Sequence, residues 1–110
     1  KWRDNLAWVN PEQLFIAENV DFNDWKGELS ALPEHFGIAR KIPAGWINER
    51  NGLKGYRVGG AMLSQEHGNF IVNVDNATQT DVLALVDEIN HRAYTNFGIT
   101  LEPEVVIIKN

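Results

Sequence analysis

Cysteine is absent from this 110-residue chain. Its absence excludes disulfides, thiolate metal sites and a cysteine nucleophile, and cysteine usage therefore says nothing about redox compartment. Positive charge is scarce: 10 Lys and Arg against 15 Asp and Glu leave a formal net charge of −5 at pH 7. Broad binding to a phosphate backbone needs clustered cations, so nucleic acid is not an expected partner. A single local basic spot for an anionic ligand stays compatible with this balance. Histidine is limited to His35, His67 and His91, whose spacing matches no metal-ligand pattern, so no metal site is expected. No apolar run reaches the ~20 residues of a membrane span. No apolar signal core follows Lys1-Trp2-Arg3-Asp4-Asn5. With Lys1 in place of an initiator Met, the sequence is expected to be a cut fragment, and a cytoplasmic location is expected. Hydrophobic residues at 44% and charged residues at 23% give the balance of a globular protein. The length suits one modest domain with one core.

Glycine, by contrast, is concentrated. Gly52, Gly55, Gly59, Gly60 and Gly68 are five of the nine in the chain, and all fall between 52 and 73. Glycine costs entropy on folding, so this density implies backbone bent through positive φ or held close to something. The spacing is not the dinucleotide fingerprint, because no strand precedes these glycines and no helix follows them. A nucleotide cofactor bound by this segment alone is not expected.

Local patterns predict the elements. A short strand is expected over 6–9. Asn10-Pro11-Glu12 reads as a helix start, with a helix over 13–19. A second helix is expected over 21–32, weakened by Gly27, and a loop over 33–40. A helix over 43–51 has Pro43 in its first turn and Gly52 as its stop. Strands are expected over 57–63 and 69–74, the latter with Phe70, Val72 and Val74 on one face and Ile71 on the other. A polar connection joins them over 64–68. Thr80 is the expected cap of a helix over 80–96, with Asp81 at its positive end. Val82, Leu85, Val86, Ile89 and Ala93 form its apolar stripe, and Gly98 ends it. A last strand over 100–108 is interrupted by Pro103. Helices between strands imply an α+β fold, a single small domain with helices packed on a mixed or antiparallel sheet.

Few residues carry chemistry. Glu104 follows Leu101-Glu102-Pro103 and precedes an apolar run, Val105 to Ile108. Desolvation there raises a carboxyl pKa and suits a general acid or a donor to a developing enolate. A solvated glutamate on an edge strand fits the same spacing. Ser64 and His67 sit three apart, but no acidic third member is evident and the glycine-serine-glycine elbow is absent. They remain candidates for substrate contacts or for turn-capping hydrogen bonds. Lys54 and Arg57 flank Tyr56, as a phosphate contact or a plain solvated face. Trp2, Trp8, Trp25 and Trp46 are many for this length and read mainly as core, with Trp2 a candidate for packing on a neighbouring domain.

The ordered set Lys41-Ile42-Pro43-Ala44-Gly45-Trp46-Ile47, then Gly52-Leu53-Lys54-Gly55-Tyr56-Arg57-Val58-Gly59-Gly60-Ala61, then Ser64-Gln65-Glu66-His67-Gly68-Asn69-Phe70-Ile71-Val72-Asn73, resembles one family. It continues through Asn76-Ala77-Thr78, Asp81-Val82, Phe97-Gly98-Ile99 and Leu101-Glu102-Pro103-Glu104-Val105. The family is the C-terminal domain of UDP-N-acetylenolpyruvoylglucosamine reductase, also called UDP-N-acetylmuramate dehydrogenase. No single motif decides the match, but the ordered set is specific. Residues 41–108 match well and 1–40 weakly.

The resemblance implies that 1–110 is the substrate-binding C-terminal domain of a cytoplasmic FAD- and NADPH-dependent oxidoreductase of peptidoglycan synthesis. In that family, UDP-N-acetylglucosamine enolpyruvate is reduced to UDP-N-acetylmuramate. The FAD-binding domains are absent from this chain, so neither cofactor is expected on it alone and the isolated chain is expected to be inactive. Carried over by motif, Glu104 is the glutamate that stabilises the enol-type intermediate. His67 stands where the family places a substrate-contacting side chain, and Asn10 matches its substrate-binding asparagine. The family's proton-donating serine does not carry over: aligning on Asn10-Pro11 puts Leu6 at its position. Leucine donates no proton, and that departure supports an alternative, a non-catalytic binding or scaffold domain that retains the fold.

Overall fold

The computed structural model of the chain describes residues 13–16, 19–25, 30 and 32–104. Its strands are β1 Gln13–Ile16, β2 Asn19–Asp21, β3 Lys41–Pro43, β4 Arg57–Val58, β5 Ala61–Leu63, β6 Phe70–Asn73 and β7 Pro103–Glu104. Its helices are α1 Glu34–Ala39, α2 Ala44–Arg50 and α3 Gln79–Phe97, with a 3-10 turn at Phe22–Asp24. β4, β5, β6, β1 and β7 form one sheet in that order, and β2 pairs with β3 in a second. Every described pair is antiparallel. The fold is α+β, as the sequence predicts.

One helix and one sheet face make the core. The expected stripe Val82, Leu85, Val86, Ile89 and Ala93 is buried along α3. It joins Ala61, Leu63 and Ile71, which share one face of the sheet, in a single apolar cluster. Fully burying a side chain the size of Leu85 or Ile89 stabilises the fold by about 2 kcal/mol each. Trp25, Phe36, Trp46 and Phe97 close one end of this core; the Trp25 and Phe97 ring centroids are 4.8 Å apart, and Phe36 meets Trp46 edge-on at 5.4 Å.

Local expectations failed where distant partners decide. Residues 13–19, expected as a helix, hold β1 and the start of β2. Gln13–Ile16 has too short an apolar run for periodicity to separate strand from helix, and its ladders to β6 and β7 decide the matter. Residues 21–24 of the expected second helix form the end of β2 and one 3-10 turn. The expected loop over 33–40 contains α1, because Phe36 packs on Trp46 and Arg40 closes the helix at φ 60°. The expected strand over 57–63 is a hairpin whose two-residue turn is Gly59-Gly60, with φ +55° at Gly59. The expected strand over 6–9 and residues 105–108 of the last one lie outside the described residues.

The cap of α3 is Thr78, not Thr80. The Thr78 side-chain oxygen accepts from the Asp81 N–H at 3.1 Å, and the Asp81 carboxylate accepts from the Thr78 N–H at 3.1 Å. The pattern Thr78-x-x-Asp81 is a capping box, which outranks a threonine lacking that reciprocal partner. The same carboxylate also accepts from the Gly60 N–H at 3.1 Å, tying the β4–β5 hairpin to the start of α3. These bonds, first from the Thr78 N–H and then from the Gly60 N–H, hold the Asp81 carboxyl below its usual 3.8. A depressed carboxyl pKa contributes stability that is full above 3.8 and lost as pH falls through the lower folded value. Urea unfolding between pH 2 and about 6 is expected to show an acid loss of stability that is shallower in Asp81→Asn. An identical pH slope in both proteins overturns that assignment.

Candidate functional site

The antiparallel register sets one row of residues across the sheet. Phe15 in β1 stands opposite Phe70 in β6 on one side and Glu104 in β7 on the other. The Ser64 N–H donates to the Phe70 carbonyl at 2.8 Å, which continues the Leu63–Ile71 register by one residue. Ser64, Phe70, Phe15 and Glu104 therefore lie in line, about 14 Å from end to end at ~4.8 Å per strand. Three of the four sites weighed at the sequence level can be located: Ser64, His67 and Glu104 belong to this end of the sheet. Asn10, like Leu6, lies outside the described residues.

The turn from β5 to β6 is built by its own hydrogen bonds. The Ser64 hydroxyl oxygen accepts from the N–H groups of Glu66 at 3.1 Å and His67 at 3.2 Å. The Phe70 N–H donates to the His67 carbonyl at 3.0 Å. Ser64 thus caps the turn, and among the described residues no acidic side chain completes a nucleophile–base pair with it. His67 is exposed, and its ring meets Phe70 edge-on at 5.1 Å. Among the described residues neither imidazole nitrogen has a hydrogen-bond partner, which leaves both for a ligand.

Helix α2 grips the same turn from below. Asn48, fully buried, donates from Nδ2 to the Gly68 carbonyl at 2.7 Å. A Cβ at Gly68 would sit 2.8 Å from the Gly45 carbonyl oxygen, so only glycine permits this approach. Sequence reasoning missed Asn48. A signal was present: Ala44, Ile47 and Asn48 occupy one helical stripe, and a polar residue on an otherwise apolar stripe asks for a partner.

Glu104 is carried by β7 at the edge of the described sheet. Its approach is fixed from α3, where the Asn90 side-chain oxygen accepts from the Leu101 N–H at 2.7 Å. Leu101 itself is buried. Pro103 forms part of the strand rather than interrupting it, because an edge position tolerates a missing donor.

The basic pair beside Tyr56 is engaged on the surface. Lys54 Nζ lies 3.8 Å from Glu49, and Arg57 lies 3.5 Å from Asp75 while its Nε donates to the Gly59 carbonyl at 2.6 Å. His91 is exposed on α3. Trp46 packs in the aromatic end of the core. The Gly59-Gly60 turn, as a cradle for a pyrophosphate, is filled by the chain itself. A Cβ at Gly60 would sit 2.7 Å from the Ala77 nitrogen and nearer still to the Asp75 carbonyl oxygen. The Asp81 carboxylate lies against Gly59. That cradle does not fit a flavin dinucleotide. Among the described residues no group of three His, Asp or Glu is placed to hold a metal ion, and no helix is long and apolar enough to cross a membrane.

Comparison with known proteins finds relatives of one kind. The family model described as "UDP-N-acetylenolpyruvoylglucosamine reductase, C-terminal domain" matches residues 7–108. The UDP-N-acetylenolpyruvoylglucosamine reductase of Desulfosudis oleivorans is 54% identical over 66 residues, covering 60% of this chain and 21% of that protein. The reductase of the same name from a Synechococcus strain is 47% identical over 87 residues, covering 73% of this chain and 28% of that protein. A crystal structure of UDP-N-acetylenolpyruvylglucosamine reductase from Thermus caldophilus is 44% identical, with a TM-score of 0.48 over 60% of this chain and 23% of that one. The chain thus spans between about a fifth and a third of the length of the relatives it matches. A match across nearly the whole chain, on top of the shared ordered motifs, settles its kinship: it belongs to the C-terminal domain family of UDP-N-acetylenolpyruvoylglucosamine reductase.

Proposed function

We propose that residues 1–110 are the substrate-binding C-terminal domain of a reductase that converts UDP-N-acetylglucosamine enolpyruvate to UDP-N-acetylmuramate in peptidoglycan synthesis. The observation that carries this reading is the family match over 7–108, a span that holds both Glu104 and the His67 turn. Support from the fold is the register row that brings β7 and that turn to one end of the sheet. The FAD-binding domains of such an enzyme lie outside this chain and are its partner. FAD, reduced by NADPH, would supply the hydride there. The longer protein works in the cytoplasm, and the isolated chain does not turn over.

The chemistry assigned to this chain concerns charge. Hydride addition to an enol ether conjugated with a carboxylate moves negative charge onto that carboxylate. A carboxylic acid held neutral beside it stabilises that charge by donating a hydrogen bond, and its proton completes the reduction at the carbon next to the carboxylate. Glu104 takes this role. His67 contacts the substrate from the turn, and Asn10 is a second substrate-binding residue.

Leu6 at the family's serine position favours a second reading, a non-catalytic binding or scaffold domain of the same fold. One assay separates the two. The full-length protein carrying this segment is expected to oxidise NADPH only when the enolpyruvyl UDP-sugar is present. Substrate-dependent turnover rejects the scaffold; tight UDP-sugar binding without turnover rejects the enzyme.

A further inference from the structure

We infer that Asn48 is a positioning residue for substrate binding: its buried amide on α2 sets the height of the His67–Gly68 turn over the sheet. The inference rests on the proposed contact between His67 and substrate. Three observations carry it. The amide is fully buried, yet only its Nδ2 is used, on the Gly68 carbonyl at 2.7 Å, while Oδ1 has no partner among the described residues. A buried acceptor left unmade is costly, so an apolar side chain of this size would serve packing better. What the apolar residue lacks is the donor, and that donor is spent wholly on the turn. Second, the Gly68 backbone comes so close to Gly45 that the turn can seat only against the first turn of α2. The contact leaves little room for the turn to slide once the Asn48 bond is made. Third, the bonds from the Glu66 and His67 N–H groups to the Ser64 hydroxyl and from the Phe70 N–H to the His67 carbonyl are internal to 64–70. Those bonds fix the shape of the turn, and against α2 it is met by Asn48 and the close approach to Gly45. His67 is one residue from the anchored carbonyl, so a shift of the turn moves its ring directly.

Amide hydrogen exchange on the 110-residue chain and steady-state kinetics of the full-length reductase test this together. Asn48→Leu keeps the volume and removes the donor. Gly68→Ala leaves Asn48 in place and pushes the turn off Gly45. Both variants are expected to speed exchange at Gly68, Asn69 and Phe70 about tenfold, with exchange along α3 unchanged. Both are expected to raise KM for the enolpyruvyl UDP-sugar about tenfold, with kcat within about twofold and KM for NADPH unchanged. A role in fold stability alone would instead speed exchange throughout and lower the yield of folded protein. Unchanged turn exchange in Asn48→Leu overturns the anchor. Faster turn exchange with unchanged KM, while His67→Ala raises KM, overturns the link to substrate. If neither His67→Ala nor Asn48→Leu alters KM, the His67 contact itself is wrong and the inference falls with it.

Discussion

Glu104→Gln is expected to lower kcat of the full-length reductase by about 100- to 1,000-fold, the loss typical of removing one donor aimed at developing charge. That corresponds to about 3–4 kcal/mol of barrier. Glutamine keeps the length and planarity of the side chain. It is a weaker donor than a carboxylic acid and has no proton to give up. Because the charge appears only as hydride reaches the substrate, ground-state binding should change little, and KM for the enolpyruvyl UDP-sugar should stay within about threefold. The discriminating measurement is stopped-flow. Reduction of the enzyme by NADPH precedes any role for Glu104 and should keep its rate, whereas reoxidation by the UDP-sugar should slow by the full factor. A variant within threefold of the parent in the second step removes Glu104 from the chemistry. Equal slowing of both steps makes its role one of domain structure.

Gly60→Ala is the substitution expected to damage the fold most. The added Cβ meets backbone on two sides, the Asp75 carbonyl and the Ala77 nitrogen at 2.7 Å, and backbone cannot swing aside as a side-chain tip can. Making room breaks the Gly60 N–H bond to Asp81 and the Val74 N–H bond to the Gly60 carbonyl, the ties between the hairpin, β6 and the start of α3. Overpacking of this kind costs about 3 kcal/mol, a fall in Tm of roughly 15 °C for a domain this size. Gly52→Ala is the matched control. Nothing lies within 4 Å of a Cβ there, and only its φ of +70° is unfavourable. Its cost is about 1 kcal/mol, the penalty of a left-handed residue. Thermal unfolding followed by circular dichroism should rank the two clearly, and equal losses would overturn the close approach at Gly60 as the reason for its glycine.

What was legible in the sequence follows from the range of the interactions. Helix α3 was readable because its stripe, its stop at Gly98 and its acidic first turn are all local. Even its capping error had a local remedy, since Asp81 stands three residues after Thr78 and only one after Thr80. The first strands were not readable, because Gln13–Ile16 takes its conformation from β6 and β7, more than fifty residues away in sequence. α1 was hidden for the same reason: Gly37 weakens it locally, and Phe36 earns its place only against Trp46. For the proposed site, motif order points to Glu104 and His67, and pairing register puts their segments at one end of the sheet. Asn48 showed only as a polar residue on an apolar stripe, with nothing local to name Gly68 as its partner, and Asn90 went unseen because its partner is the Leu101 backbone.

The two outer strands of the large sheet bear on how this chain behaves beside copies of itself. β4 is two residues long and begins with a charged residue, Arg57. β7 contains Pro103, which has no N–H to offer an incoming strand. Open sheet edges invite edge-to-edge polymerisation, and short, charged or proline-bearing strands discourage it. Among the described strands both margins are blunted in this way. Among the described strands the margins are thereby protected from growing outward, which favours contact with a partner through side chains on a face or through a turn such as that at His67 over the addition of another strand.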